Sequence, residues 1–418
     1  MTAEIGVLNT IGVALAADSA VTIGTSKIFN TADKLFSLSK HHPVGIMIYG
    51  SAEYMGVPWE TVIKIYRKKL GDRQFDKLND YSEDFINFLT ADERFYDQHY
   101  ESNLVKRKFL TFLDSMLDDI NMIIPEVFKI EPPEHAISNI IFAEALFYAD
   151  FFNRHYAMVE GFKETYAETF YDQFHDVIQE LLNSRINVNL DDETINFFVH
   201  IAAKLIMNDI YTNETGLVVA GFGEEEIFPS LKSFSIEGIY NGVLKYKKEQ
   251  DVTINTSNRA TIVPFAQQEM VHSFLTGIDP ELKNQVIGLV EKIASIYPEV
   301  VNDNITQLDS EQNDNLRAFG QSVLKQFVDQ LDQTIAHSFS SPIMDTVSSF
   351  PKEELAAMAE ALVNLTSIKR KMSYESETVG GPIDVAVISK GDGFIWIKRK
   401  HYFQPELNHT YFSNYMKR

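Results

Sequence analysis

The chain has 418 residues, 45% hydrophobic and 23% charged, a globular composition that excludes disordered, collagen-like and low-complexity proteins. It contains no cysteine, which removes disulfides, thiolate metal sites and cysteine nucleophiles together. Its 37 basic against 59 acidic side chains give a formal charge of -22, which repels phosphate backbones and anionic lipid, so neither a nucleic acid nor a membrane is the expected partner. Much of the surplus lies between positions 72 and 212, with roughly 27 acidic and 11 basic side chains, the mark of a solvated helical surface. No apolar run approaches the roughly 18 residues of a membrane span. Met1-Thr2-Ala3-Glu4 leads into alternating apolar residues with no basic n-region, so no signal peptide is expected and the cytoplasm is the expected location.

The first fifty residues read as strands. Glu4 to Leu8 alternates, Asn9-Thr10 turns, and Gly12 to Ala17 is a run of small and branched apolar residues, which together predict a hairpin. Lys34 to Leu38 and Val44 to Tyr49 predict a second pair around the Lys40-His41-His42-Pro43 loop. Pro58 suits a first helical turn, and Trp59, Val62, Ile63, Tyr66 and Leu70 then form one apolar stripe. From about Asp72 to Asp192 the chain turns aromatic, acidic and glycine-poor, and reads as a helical insertion broken at Pro132-Pro133. The run from Phe147 to Tyr156 is read as helix core, and Asn183, Asn187 and Asn189 mark a loop near the end of the insertion.

Ile195 to Met207 is a further amphipathic helix, and strands return at 216–221, 233–236 and 242–246. A helix is expected to begin near Pro264, with more helices from Pro280 to Thr346 and from Pro351 to Lys369. Ile383 to Ile388 and Phe394 to Ile397, joined by Gly391-Asp392-Gly393, predict a closing hairpin. Paired strands, helices, paired strands and helices in this order predict an α+β fold of two antiparallel sheets with helices on both outer faces. The expected segments are core at 1–71, 192–278 and 350–418, the last including a C-terminal tail, with helical insertions at 72–191 and 279–349.

Several features carry a family resemblance. Thr2 follows the initiator Met, Ala16-Ala17-Asp18-Ser19 follows an apolar strand, Lys34-Leu35-Phe36 opens the next strand pair, and Tyr49-Gly50-Ser51-Ala52 precedes a helix. Ala220-Gly221-Phe222-Gly223 and Gly380-Gly381-Pro382 continue the same order. In this register the chain resembles the proteasome β-subunit and HslV-like family of N-terminal-nucleophile (Ntn) hydrolases, over roughly residues 2–70, 195–278 and 350–398. The resemblance implies the four-layer αββα Ntn-hydrolase sandwich and a threonine peptidase in which Thr2 is the nucleophile, Lys34 and Asp18 support it, and the backbone N–H of Gly50 receives the oxyanion. It implies a homo-oligomer and makes an ATP-dependent unfoldase a candidate partner. The two insertions fall on the outer helical faces, so the expected assembly is not a stacked double ring.

The chemistry of those residue types is general. A threonine hydroxyl needs an adjacent base, and the α-amine of a terminal threonine, with a reference pKa of about 7.7–8.0, can serve once Met1 is removed. A lysine on a strand next to that of Thr2 would keep the amine neutral and stabilise developing negative charge, and an aspartate would hold the lysine in place. Two departures weaken the match. Ala260 to Gln268, at the expected start of the third core helix, lacks the family's serine, and Ser376-Glu377-Thr378-Val379 lacks its late serine. A catalytically weak scaffold protein and a small-amide hydrolase on the same fold are therefore the alternatives. No cofactor or metal is expected: His41-His42 lacks the i, i+4 spacing of a helical zinc site, and the carboxylates of Glu224 to Glu226 would repel a phosphate at Gly221-Phe222-Gly223.

Overall fold

β1 (Ala3–Asn9) and β2 (Gly12–Ala17) form the expected hairpin, and every residue of both is buried. A strand covered on both faces has no polar side to show, which explains the run of glycine, alanine and valine in β2. In a computed structural model that describes residues 2–23, 27–127, 134–212, 214–304, 309–372 and 379–416, this hairpin lies in the middle of a five-stranded antiparallel sheet. Met1, Pro132-Pro133 and Ser376-Glu377-Thr378 lie outside the described residues.

A small ribbon, β3 (Val21–Ile23) with β4 (Lys27–Phe29), follows. β5 (Leu35–Ser37) and β6 (Val44–Gly50) make the second expected pair, and a two-residue ribbon, β7 (Glu53–Tyr54) with β8 (Val57–Pro58), leads to α1 (Trp59–Leu70). The five residues of the α1 stripe are all buried. α2 (Leu78–Ala91), α3 (Gln98–Val127), α4 (Glu134–His155), α5 (Tyr166–Arg185) and α6 (Asp192–Met207) follow. Asn183 lies in the last turn of α5, and the loop falls on residues 186–191. α2 and α3 pack directly on the sheet and share its apolar layer with α1 and α6.

β9 (Thr215–Gly221), β10 (Ser230–Tyr240) and β11 (Val243–Thr253) complete the second sheet, in the order β11-β10-β9-β6-β5. β12 (Ala260–Ala266) then crosses to the first sheet and pairs with β1, with Ile5 opposite Pro264. The helix expected near Pro264 is therefore a strand, and α7 (Glu269–Thr276) starts later. Proline is tolerated there because β12 is an edge strand, where a missing N–H interrupts no ladder on the open side. α8 (Pro280–Asn304), α9 (Ser310–Ile335), α10 (Ser341–Ser348) and α11 (Lys352–Met372) precede the closing hairpin of β13 (Asp384–Ser389) and β14 (Gly393–Lys398), and α12 (His409–Met416) ends the described chain. The first sheet has the order β12-β1-β2-β13-β14.

Three apolar layers separate these elements. Leu8, Leu15, Met47, Val218, Leu231 and Ile388 fill the space between the sheets. Ile5, Val7 and Ala16, on the opposite face of the first sheet, pack against Val271 of α7 and Leu355, Ala359 and Val363 of α11. Ile46, Ile48 and Val219 pack against the α1 to α6 side. Alternation within β1 and β6 thus serves both layers at once, giving helices, sheet, sheet and helices.

Candidate active site

Thr2 enters at the start of β1, where its carbonyl accepts a hydrogen bond from Gln267 N–H at 3.2 Å. Even-numbered residues of β1 share the face that looks across to the other sheet, as the packing of Leu8 and of Gly6 against Leu231 fixes. Thr2 and Glu4 belong to that set, and Thr2 is 5% exposed.

Lys34 comes from the opposite layer. It immediately precedes β5, the edge strand of the second sheet, and its carbonyl accepts from Ile48 N–H at 2.9 Å. It is thus not on a strand adjacent to that of Thr2, as the sequence suggested, but reaches across the gap between the sheets. Its Nζ donates to Thr2 Oγ1 at 2.9 Å and to Asp18 Oδ1 at 2.6 Å. All three side chains are buried, a setting in which charge-assisted bonds gain strength.

Asp18 follows directly after β2 and is held by the backbone on every side. Its Oδ1 also accepts from Ala3 N–H at 3.2 Å, and its Oδ2 from Ala20 N–H at 3.3 Å and Gly380 N–H at 2.9 Å. Four donors leave the carboxylate little freedom, so it fixes the Lys34 ammonium in place. Gly380, from the late glycine pair, was legible only as part of the family register; its donation to Asp18 was not anticipated. Ser19 N–H returns a bond to Gly380 O at 3.1 Å. The expected start of the third core helix instead supplies the strand end and Gln267, whose backbone holds Thr2.

Gly50 ends β6 opposite Thr215, with φ at 82° and its backbone exposed. A Cβ there would stand 2.4 Å from the Glu214 carbonyl oxygen, so only glycine fits. Tyr49 beside it stacks on Phe265 with ring centroids 5.8 Å apart.

Glu4 is the residue that sequence reasoning passed over. It is fully buried between the sheets, and neither carboxylate oxygen has a hydrogen-bond partner among the described residues. Burial pushes its carboxyl well above the usual range, the Lys34 ammonium opposes that rise, and the Asp18 charge adds to it. Its place in an alternating strand made it look like a solvent-facing position.

A second buried charge cluster lies away from Thr2. Glu237 of β10 meets Lys108 of α3 at 2.6 Å and Lys245 of β11 at 3.2 Å. Both lysines also donate to the carbonyl of Ile210, at 2.6 Å each. Burial, reinforced by the Lys108 charge, pushes Lys245 down to about 7, while the two ammonium groups outweigh burial to hold Glu237 below the usual carboxylate range. The cluster ties a helix to the sheet it covers.

Among the described residues no group of three or more His, Cys, Asp or Glu side chains is placed to hold a metal ion. At the glycine-rich turn Glu226 Oε2 accepts from Gly223 N–H at 2.6 Å and Leu78 N–H at 2.9 Å, so the protein's own carboxylate fills the anion position. No helix among the described residues is long and apolar enough to cross a membrane.

No family model matches this chain, and no curated protein matches it. Solved structures similar to it include three Anbu chains. One is the helical assembly of the Anbu complex from Pseudomonas aeruginosa, at 8% identity and TM-score 0.33, covering 99% of this chain and 94% of that one. Another is an Anbu (Gly-1) mutant from Hyphomicrobium sp. strain MC1, at 8% identity and TM-score 0.29, covering 100% and 96%. The third is Anbu (ancestral beta-subunit) from Yersinia bercovieri, at 9% identity and TM-score 0.26, covering 99% and 94%. These findings correct the family resemblance read from the sequence: the three chains named are Anbu proteins, and similarity at this level assigns no family.

Proposed function

We propose that this chain is a threonine-type N-terminal-nucleophile hydrolase that cleaves peptide bonds through an acyl-enzyme on Thr2. The observation that carries this reading is the buried 2.9 Å hydrogen bond from Lys34 Nζ to Thr2 Oγ1, with Lys34 held in turn by Asp18. With three N–H donors, the Lys34 ammonium joins the Asp18 carboxylate to the Thr2 hydroxyl and puts positive charge beside Oγ1.

In this reading Met1 is removed and the free Thr2 amine takes the hydroxyl proton as Oγ1 attacks the substrate carbonyl. The Lys34 ammonium stabilises the charge that develops on Oγ1, and the Gly50 N–H receives the carbonyl oxygen as it becomes an oxyanion. Collapse of the tetrahedral species breaks the C–N bond, passes the amine's proton to the leaving group and leaves an ester on Thr2. Water then attacks that ester with the same amine as base and restores the hydroxyl.

The test is the intact mass of the purified protein before and after treatment with a peptide epoxyketone, whose adduct requires both a free α-amine and the neighbouring hydroxyl. Loss of Met1 and one adduct per chain, absent in Thr2→Ala, is the expected result. Retention of Met1, or a processed chain that forms no adduct and turns over no amide substrate, would overturn the proposal in favour of a non-catalytic scaffold. Turnover of small amides but not peptides would move the substrate class and keep the nucleophile.

A further inference from the structure

α8 and α9 form an antiparallel helical hairpin, with Lys283 Nζ 2.7 Å from Asp332 Oδ1 near one end of the seam. Further along, Gly320 meets the Ala294 backbone so closely that a Cβ would stand 2.8 Å from its carbonyl oxygen, so this glycine sets the approach of the helices. The pair nevertheless has almost no core of its own. Of the 26 residues of α9, only Gly320 and Ile335 are buried.

The apolar side chains that would make a core are on one open face. On α8, Leu289 is 61% exposed, Ile293 67% and Tyr297 48%, and Leu282 and Ile296 continue the stripe. On α9, Phe319 is 62% exposed and Val323 42%. At about 100° per residue, Ile293 lies just before the seam residue Ala294, and Phe319 just before the seam residue Gly320. Because the helices run in opposite directions, these equal offsets put both stripes on the same side of the hairpin.

We propose that this face is an interface between two copies of the chain, with the two hairpins closing a four-helix bundle. Five side chains of α8 and two of α9 in this stripe are each 41–67% exposed, a contiguous apolar face of the kind that contributes to a stable complex, which takes about 800 Å² from each partner. Two copies related by a two-fold axis present the same stripe to each other, so the contact closes on itself without needing a second kind of surface. Two-helix layers packed face to face give the interior that a lone hairpin lacks. A lipid surface is the poorer occupant, because a chain of net charge -22 is repelled by anionic headgroups.

The test is the solution mass of the full chain against a 47.7 kDa protomer, for the wild type and for Leu289→Glu/Ile293→Glu. Both positions are exposed in the single chain, so the variant should keep its circular dichroism and melting behaviour. The wild type is expected at two or more protomers at micromolar concentration, and the variant at no more than half the wild-type mass. A monomeric wild type, or a variant of unchanged mass, would overturn the proposal. The absence of native cysteine gives an independent check: Ile293→Cys carries a single thiol, and bismaleimide treatment should yield a covalent dimer. Failure to cross-link with both short and long spacers would also overturn it.

Discussion

Lys34 and Thr2 meet at 2.9 Å although they belong to different sheets. The contact bridges the gap between the layers, so the site exists only while the two sheets keep their separation. Asp18 supports it from the Thr2 side, directly after the strand next to β1. Lys34→Ala should therefore reduce both peptide turnover and the rate of epoxyketone labelling by at least about a hundredfold. Asp18→Asn should act in the same direction, because the amide holds no ammonium as tightly. Unchanged labelling in either variant would remove that residue from the mechanism.

Glu4 makes the folded state sensitive to rising pH. Its carboxyl is raised well above the ordinary value by burial, so the folded chain holds this proton more tightly than the unfolded chain. Stability from this group is present below the unfolded value of about 4.3 and is lost as pH rises through the raised folded value. Glu4→Gln removes the titration. Urea midpoints should show the variant gaining on the wild type as pH rises above about 4.3, and a constant difference would count against a raised, buried carboxyl.

The Lys245 cluster works with the opposite sign. A lysine pushed down to about 7 binds fewer protons folded than unfolded across the range up to about 10.4. Its contribution to stability therefore rises with pH over that window. Lys245→Met should flatten the rise, which chemical denaturation at about pH 7 and pH 9.5 would reveal.

Gly50 is constrained by space as well as by torsion. With φ at 82° and the Glu214 carbonyl in the way, Gly50→Ala should lower stability by about 1–3 kcal/mol. If its N–H receives the oxyanion, the loss in turnover at a temperature where the variant remains folded will exceed that of a control such as Gly242→Ala. Gly242 also has positive φ, but nothing stands within 4 Å of a Cβ there.

Elements with one strong period were legible in the sequence. The β1–β2 hairpin, the α1 stripe and the closing hairpin follow from alternation, helical spacing and a glycine turn acting over a few residues. Pro264 was misread because proline as a helix starter and proline on an edge strand look alike until the sheet order is known. Of the site, Thr2, Asp18 and Lys34 could be named only through a family register, since residues 16 and 32 positions apart carry no local signal of contact. Glu4, Lys108 and Lys245 were missed for a related reason. A charged side chain in an amphipathic pattern is ordinarily at the surface, and only the arrival of further layers buries these three.

The Asp18 carboxylate receives one of its hydrogen bonds from Gly380, 362 residues further along the chain. The sheet that holds Thr2 is also closed late, since β1 and β2 acquire their outer neighbours only when β12 and β13 have been made. A ribosome adding about 5–20 residues per second would leave the amino-terminal hairpin with both flanks open until most of the protein has emerged. Thr2 is thus made long before several of the residues that close around it. A nascent chain carries an unfinished centre until Gly380 and β13 have joined it.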